Sequence, residues 1–307
     1  MVFLHSEDDN LNSFSLQFKL LKKMSINDIL QLSKFRLTTS VVFSAIAGYF
    51  IAGGYFNSLE LLFLVLGGFM VVASSNGFNQ IMEKDLDRLM QRTADRPLPK
   101  ERMPLTQAYY FSLIMGSVGV LLLFMINLYC GFFGLLSVLL YVLAYTPLKR
   151  KTPFSVFVGA FPGAIPFMLG WVAVTNDFAI EAGILFAIQF LWQFPHFWAI
   201  AWVSSDDYNR AGFKMLPSGK DKSTASKTMI YTFFLIPLTL LPVFGFTGML
   251  ELSAIGAMIA VLLGLWFFTK SLILFKTLKD KDAKKLMFAS FIYLPLLQLI
   301  YVFDKLL

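Results

Sequence analysis

Three side chains with hard oxygen donors recur at four-residue spacing: Asn79, Glu83 and Asp87. On a helix four residues advance about 400°, so the set forms one stripe that drifts by about 80° overall. The amide and two carboxylates can therefore point into one cavity. Two carboxylates on one face repel each other unless a cation sits between them, and oxygen donors suit Mg²⁺. Asp85 projects from the opposite side and ranks below them. Arg88, Arg92 and Arg96 follow at the same spacing. Guanidinium forks bind phosphate oxygens in bidentate fashion. Acids followed by arginines fit a ligand that is both anionic and metal-bound, and a diphosphate chelated by Mg²⁺ is the obvious case. For the arginines alone, i,i+4 salt bridges at a membrane edge read equally well. For the acids that plainer reading is weaker, because acidic side chains beside a membrane cavity are costly without partners.

Two further clusters carry chemistry. Tyr145, Thr146 and Pro147 precede Lys149 and Arg150. Pro147 is expected to end a helix and leave the cations at its mouth; snorkelling cations give the same pattern. Gln193 and His196 interrupt an apolar run, where polar groups face a cavity or a neighbouring helix. His196 is one of 2 histidines, and it reads either as a ligand or as hydrogen-bonded structure. Asp207 and Arg210, three apart, either bind metal and phosphate or pair with one another.

The elements that must hold these residues are apolar. Of 307 residues, 57% are hydrophobic and 15% charged, against about 25% charge in a soluble domain. That excludes soluble, disordered and disulfide-scaffold classes, and the lone Cys130 cannot form an internal disulfide. The chain reads as an all-α polytopic membrane protein. Nine stretches qualify as spans, at roughly 38–56, 60–77, 109–127, 130–148, 154–174, 180–202, 229–248, 252–270 and 286–304.

The basic residues give an orientation. They gather before span one and after spans two, four, six and eight, and Lys305 is the single exception among 26 Lys and Arg. This predicts a cytoplasmic N-terminus, an outer C-terminus and an odd number of spans. The net charge of +7 then reports topology, not nucleic-acid binding. Residues 1–37 read as a polar cytoplasmic segment and 38–307 as the membrane domain. No signal-peptide pattern is visible, and Glu7, Asp8 and Asp9 argue against a transit peptide. Met24–Leu37 has helical apolar spacing (Ile26, Ile29, Leu30, Leu32) and reads either as a surface helix or as a solvated tail. The loops after spans two and six are long and polar. Their four-span separation predicts two similar four-helix units, each offering one polar loop to a shared cavity.

On these residues the chain resembles the UbiA superfamily of intramembrane prenyltransferases, through the Asn79-x3-Glu83-x3-Asp87 stripe on nine spans. Finer features resemble its haem-farnesylating branch: Met90-x-Arg92-Thr93-x2-Arg96-Pro97-Leu98, Tyr145-Thr146-Pro147-Leu148-Lys149-Arg150, Gly163-Ala164-x-Pro166-x3-Gly170-Trp171, Trp192-Gln193-x-Pro195-His196-Phe197 and Asp207-Tyr208-x2-Ala211-Gly212. The likeness spans about residues 30–220. It implies nine helices around a central cavity in a bacterial inner membrane. It also implies transfer of farnesyl from farnesyl diphosphate to a vinyl group of haem B, with Mg²⁺ as cofactor and haem as substrate. The product would pass to a haem A synthase or to terminal-oxidase assembly. By this resemblance Asn79, Glu83, Asp87 and Asp207 hold the metal, and Lys149 and Arg210 join the catalytic set. Arg92, Arg96, Tyr145, Arg150, Gln193 and His196 contact substrates.

Two departures stand out. The superfamily's Asp-x3-Asp after span six reads Asp206-Asp207-Tyr208, and its Lys-Pro-Arg before span one reads Lys34-Phe35-Arg36. The second is expected to affect an entry segment more than the chemistry. Rival readings are another prenyl acceptor (quinone precursor, chlorophyllide or glycerol phosphate), a transporter relaying ions through Glu83, Asp87 and His196, and a haem-binding assembly factor. Acids clustered with arginines at one face argue against a relay near the midplane.

Overall fold

Inside a bilayer a backbone must satisfy its own hydrogen bonds. The computed structural model describes residues 25–306, which form helices and turns with no strand. Most of the expected polar segment 1–37 lies outside these residues. In chain order the helices are α1 (Ile26–Leu32), α2 (Phe35–Ile51), α3 (Leu59–Met82), α4 (Lys84–Asp87), α5 (Leu105–Ile126) and α6 (Leu128–Leu148). Then follow α7 (Ser155–Thr175), α8 (Ile180–Val203), α9 (Ser205–Ala211), α10 (Lys222–Thr239), α11 (Ala254–Thr277) and α12 (Asp280–Leu306).

Of the nine expected spans, 8 are helices long and apolar enough to cross a bilayer. The remaining one, α2, has 17 residues. At about 1.5 Å each they cover about 26 Å, less than the about 30 Å hydrocarbon core. Helix α3 runs past its expected end at about residue 77 to Met82. Its polar side chains do not end the helix, because neighbouring helices satisfy them. Ser74 Oγ donates to Ser112 O (2.7 Å), and Asn76 Nδ2 donates to Ser33 O (3.3 Å). The expected seventh span instead begins at Lys222, where Asp221 caps α10 by accepting from Thr224 N (2.8 Å). It ends in a tight 3₁₀ turn at Leu241–Phe244.

Helices α7 and α8 form the enclosed centre. Their apolar windows are 72% and 67% buried, against 22% for α5 and for α6, which face outward. Small residues permit close crossings. A Cβ on Gly170 of α7 would lie 1.9 Å from Ala45 O of α2, and one on Gly48 would lie 2.0 Å from Phe167 O. At the end of the bundle that carries the two long polar loops, a second apolar cluster joins Met90, Tyr145, Phe194, Trp198, Phe213 and Met215. It fastens the loop after α4 to the loop after α9 and so positions the polar groups above it.

Candidate functional site

The site is built on the end of α3. Met82 is its last α-helical residue, but Glu83 N still donates to Asn79 O (3.0 Å) and Asp87 N to Glu83 O (2.7 Å). The four-residue repeat therefore survives a bend at Glu83, and Asn79, Glu83 and Asp87 all end up buried. The same stretch of α3 does a second job. Gln80 Nε2 donates to Leu32 O (2.7 Å) and Gln31 O (3.1 Å), and Asn76 Nδ2 reaches Thr38 Oγ1 (3.3 Å). These bonds dock the elbow between α1 and α2. Arg102 clamps α1 from the other side through Asp28 (2.8 Å) and Gln31 (3.0 Å).

That elbow delivers a residue whose role the sequence underrated. Lys34 sits at the bend with φ 48°, a left-handed conformation unusual for a side chain with a Cβ. Its Nζ donates to Asn79 Oδ1 at 3.3 Å. Lys34 thus stands beside the charged cluster, with Arg96, Lys149, Glu83 and Asp87 near it. Burial, with Arg96 and Lys149 nearby, holds its ammonium well below the usual lysine range.

Each acid meets a cation. Lys149 Nζ lies 2.5 Å from Glu83, with side chains 10% and 6% exposed, and Arg96 lies 2.7 Å from a wholly buried Asp87. Burial lowers the pKa of Lys149, and contact with Glu83 opposes that. Lys149 Nζ also sits 5.0 Å from the Tyr145 ring centroid and 5.3 Å from that of Phe213.

Lys149 and Tyr145 owe their placement to a π-helical stretch, Leu140–Tyr145, inside α6. Such widened turns occur often at functional sites. Thr146 Oγ1 donates to Tyr141 O (2.9 Å) and accepts from Asn79 Nδ2 (3.3 Å). The Asn79 amide is thereby oriented, with its nitrogen toward Thr146 and its oxygen toward Lys34. Gly159 makes room for Tyr145, since a Cβ there would lie 2.5 Å from the ring.

Other predicted residues lie apart from this cluster. Both Asp207 oxygens accept backbone N–H groups of the first polar loop, from Gln91 (3.0 Å) and Arg92 (3.2 Å), and Arg210 lies 3.5 Å away. Asp207 therefore clamps one loop to the other. The Arg92 side chain is exposed, as is that of Arg150, which has no ion pair or hydrogen bond among the described residues. Arg88 folds its own loop through Glu101 (2.5 Å) and Pro99 O (3.0 Å), and the exposed Asp85 lies 3.9 Å from it. His196 Nδ1 shares a hydrogen bond with Ser290 Oγ (2.8 Å), and its ring stacks on Trp192 at 4.3 Å. The Gln193 amide packs where a Cβ on Gly163 would lie, 2.3 Å from it.

The donor set fits a hard cation. Asp87 Oδ1 is buried with no hydrogen-bond partner, an expensive state for a carboxylate oxygen unless a cation is to meet it. Among the described residues no three His, Cys, Asp or Glu converge; the third donor beside Glu83 and Asp87 is the Asn79 amide. The contacts of Lys34 and Thr146 with Asn79 were not legible in the sequence, because they reach it across 45 and 67 positions. Each stood there only as part of a motif.

Buried acids matched to buried cations at one end of a bundle with 8 helices long and apolar enough to cross a bilayer describe a multi-pass membrane protein with a charged site at that end. The chain belongs to the UbiA prenyltransferase family, whose model matches residues 41–294. It is 52% identical over 288 residues to a protoheme IX farnesyltransferase of Flavobacterium psychrophilum, covering 92% of this chain and 96% of that one. It is 50% identical over 281 residues to a protoheme IX farnesyltransferase of Christiangramia forsetii, covering 91% and 94%. Its fold matches a digeranylgeranylglyceryl phosphate synthase with TM-score 0.74 at 21% identity, over 91% of this chain and 98% of that one. A UbiA homologue from Archaeoglobus fulgidus, bound to DMAPP and Mg²⁺, matches with TM-score 0.63 at 12% identity, over 87% and 98%.

Proposed function

We propose that this prenyltransferase converts haem B to haem O by Mg²⁺-dependent transfer of farnesyl from farnesyl diphosphate. The observation that carries the reading is the 52% identity to a protoheme IX farnesyltransferase along nearly the whole chain. The buried oxygen set of Asn79, Glu83 and Asp87 supports the metal requirement, and these residues would hold Mg²⁺. Bound there, Mg²⁺ supplies Lewis-acid stabilisation of the leaving diphosphate, on the order of several kcal/mol.

The chain's own residues do the rest. Lys149 and Arg96 provide positive charge for the phosphate oxygens, and Lys34 Nζ adds an N–H donor beside them. The allylic C–O bond breaks with its electron pair departing on diphosphate. The vinyl π electrons of haem form the new C–C bond to the farnesyl carbon. Water then adds to the resulting cation and releases a proton. The products are haem O, diphosphate and H⁺. Tyr145 presents its ring face to the Lys149 cation, a contact worth about 0.5–2 kcal/mol that helps hold the ammonium in place. The apolar cluster beneath excludes water from the allylic carbon until the bond has formed.

The reading places the protein in a bacterial inner membrane with nine spans, the short α2 among them. The distribution of Lys and Arg supports a cytoplasmic site and N-terminus and an outer C-terminus. Residues 38–307 form the catalytic domain, and haem O passes to a haem A synthase or to terminal-oxidase assembly. The test is direct. Purified protein is incubated with haem B, farnesyl diphosphate and Mg²⁺, and haem O is sought by mass spectrometry. The mass of haem O is expected. Its absence from folded protein, with farnesyl appearing on a quinone precursor or glycerol phosphate instead, overturns the assignment.

A further inference from the structure

We propose that a cavity beside α9 docks the carboxylate-bearing edge of the acceptor, with Lys214 as the anchoring cation. The inference rests on the haem-farnesylation reading and adds the place where that substrate binds. The cavity holds about 480 Å³ and lies between the end of α8, helix α9 and the segment that follows. This is within the usual range for small-molecule sites, about 300–1,000 Å³.

Its walls divide by chemistry. Ala201, Phe213 and Met215 supply apolar surface, while Ser205, Asn209 and Lys214 supply polar groups. The Lys214 side chain is exposed and has no ion pair among the described residues. Its neighbours are committed: Lys220 to Asp280 at 3.0 Å and Arg210 to Asp207 at 3.5 Å. Asp206 also lines the cavity, so an incoming carboxylate belongs on the Lys214 side, away from that repulsion.

Phe213 is shared between this cavity and the charged cluster. It lines the cavity, and its ring lies 5.3 Å from Lys149 Nζ. Lys214 N donates to Lys149 O at 2.6 Å, which fixes the anchor's backbone directly behind the catalytic lysine. A flat apolar ring with two carboxylates on one edge has two requirements. Its vinyl carbon must reach the allylic carbon beside Lys149. Its carboxylates must stay at the polar end, because charges are costly in hydrocarbon. An apolar floor against Phe213 with a free cation at the rim meets both.

The test compares wild type with Lys214→Glu and Lys214→Met, using haem B and haem B dimethyl ester, whose propionates carry no charge. Lys214→Glu is expected to raise KM for haem B about tenfold, as one charge contact is replaced by repulsion. Lys214→Met should give a smaller rise. KM for farnesyl diphosphate should stay within about twofold, and neither variant should change KM for the ester. Equal shifts for acid and ester, a shift in farnesyl diphosphate KM, or no shift at all overturns the docking site. Wild-type protein that makes no haem O refutes the reaction assigned above. In that case absorbance titration of haem and ester onto the same three proteins still decides the docking site by the same pattern.

Discussion

The two polar loops carry similar residues in different surroundings. In the first, Asp87 is wholly buried against Arg96 and keeps one oxygen without a partner. In the second, Asp207 is 15% exposed, and both its oxygens are taken by backbone N–H groups of the first loop. A buried carboxylate with a vacant lone pair is poised to bind a cation. A carboxylate saturated by amides is a clasp. Acid content alone does not separate the two; desolvation and partner count do.

The largest test of that contrast is Asp87→Ala. Turnover should fall by about 10³-fold, in line with removal of a group that stabilises transition-state charge, while haem titration remains intact. Retention of more than about a tenth of turnover breaks the contrast at its stronger end.

Next comes Thr146→Val, which keeps the shape and removes the hydroxyl that orients Asn79. Half-saturation by Mg²⁺ should rise about 10-fold, typical of losing the partner of a metal ligand, and Thr146→Ser should restore it. In an Asn79→Asp background the substitution should have little effect, because a carboxylate needs no amide orientation. Direct Mn²⁺ binding followed by electron paramagnetic resonance checks the same order without turnover. An undiminished effect in the double variant would falsify the orienting role.

Asp207→Ala should raise KM for farnesyl diphosphate by about tenfold through loosening of the first loop, worth about 1–2 kcal/mol of lost charge-assisted bonds. Mg²⁺ half-saturation should stay put. If that value moves instead, Asp207 is a metal ligand and the two loops are alike after all. Arg150→Gln should have the smallest effect, under about twofold on either KM, because an exposed cation is screened by water and salt.

Much of the site was legible in the sequence for a specific reason. The four-residue repeat of Asn79, Glu83 and Asp87 is a local property, and the backbone bonds that carry it past the end of α3 are also local. Lys149 was legible because it follows a proline at a helix mouth. Asp207 was recognised as important, but both its loop partners lie more than a hundred positions away: Gln91 at a separation of 116 and Arg92 at 115. His196 showed its polarity in an apolar run, and only the approach of α12 revealed Ser290 as its partner.

The sequence by itself determined the class and the polar end. Apolar runs of bilayer length must become helices, and the clustering of Lys and Arg marks one end of every span. Those requirements act residue by residue along the chain. Tertiary structure alone decided that Lys34 reaches Asn79, that a π-helical turn sets Thr146 beneath the same amide, and that Phe213 lines a cavity while its ring also meets Lys149. Such pairings arise from how helices cross and how closely glycines let them approach, as at Gly48 and Gly170. Packing of that kind depends on every helix at once.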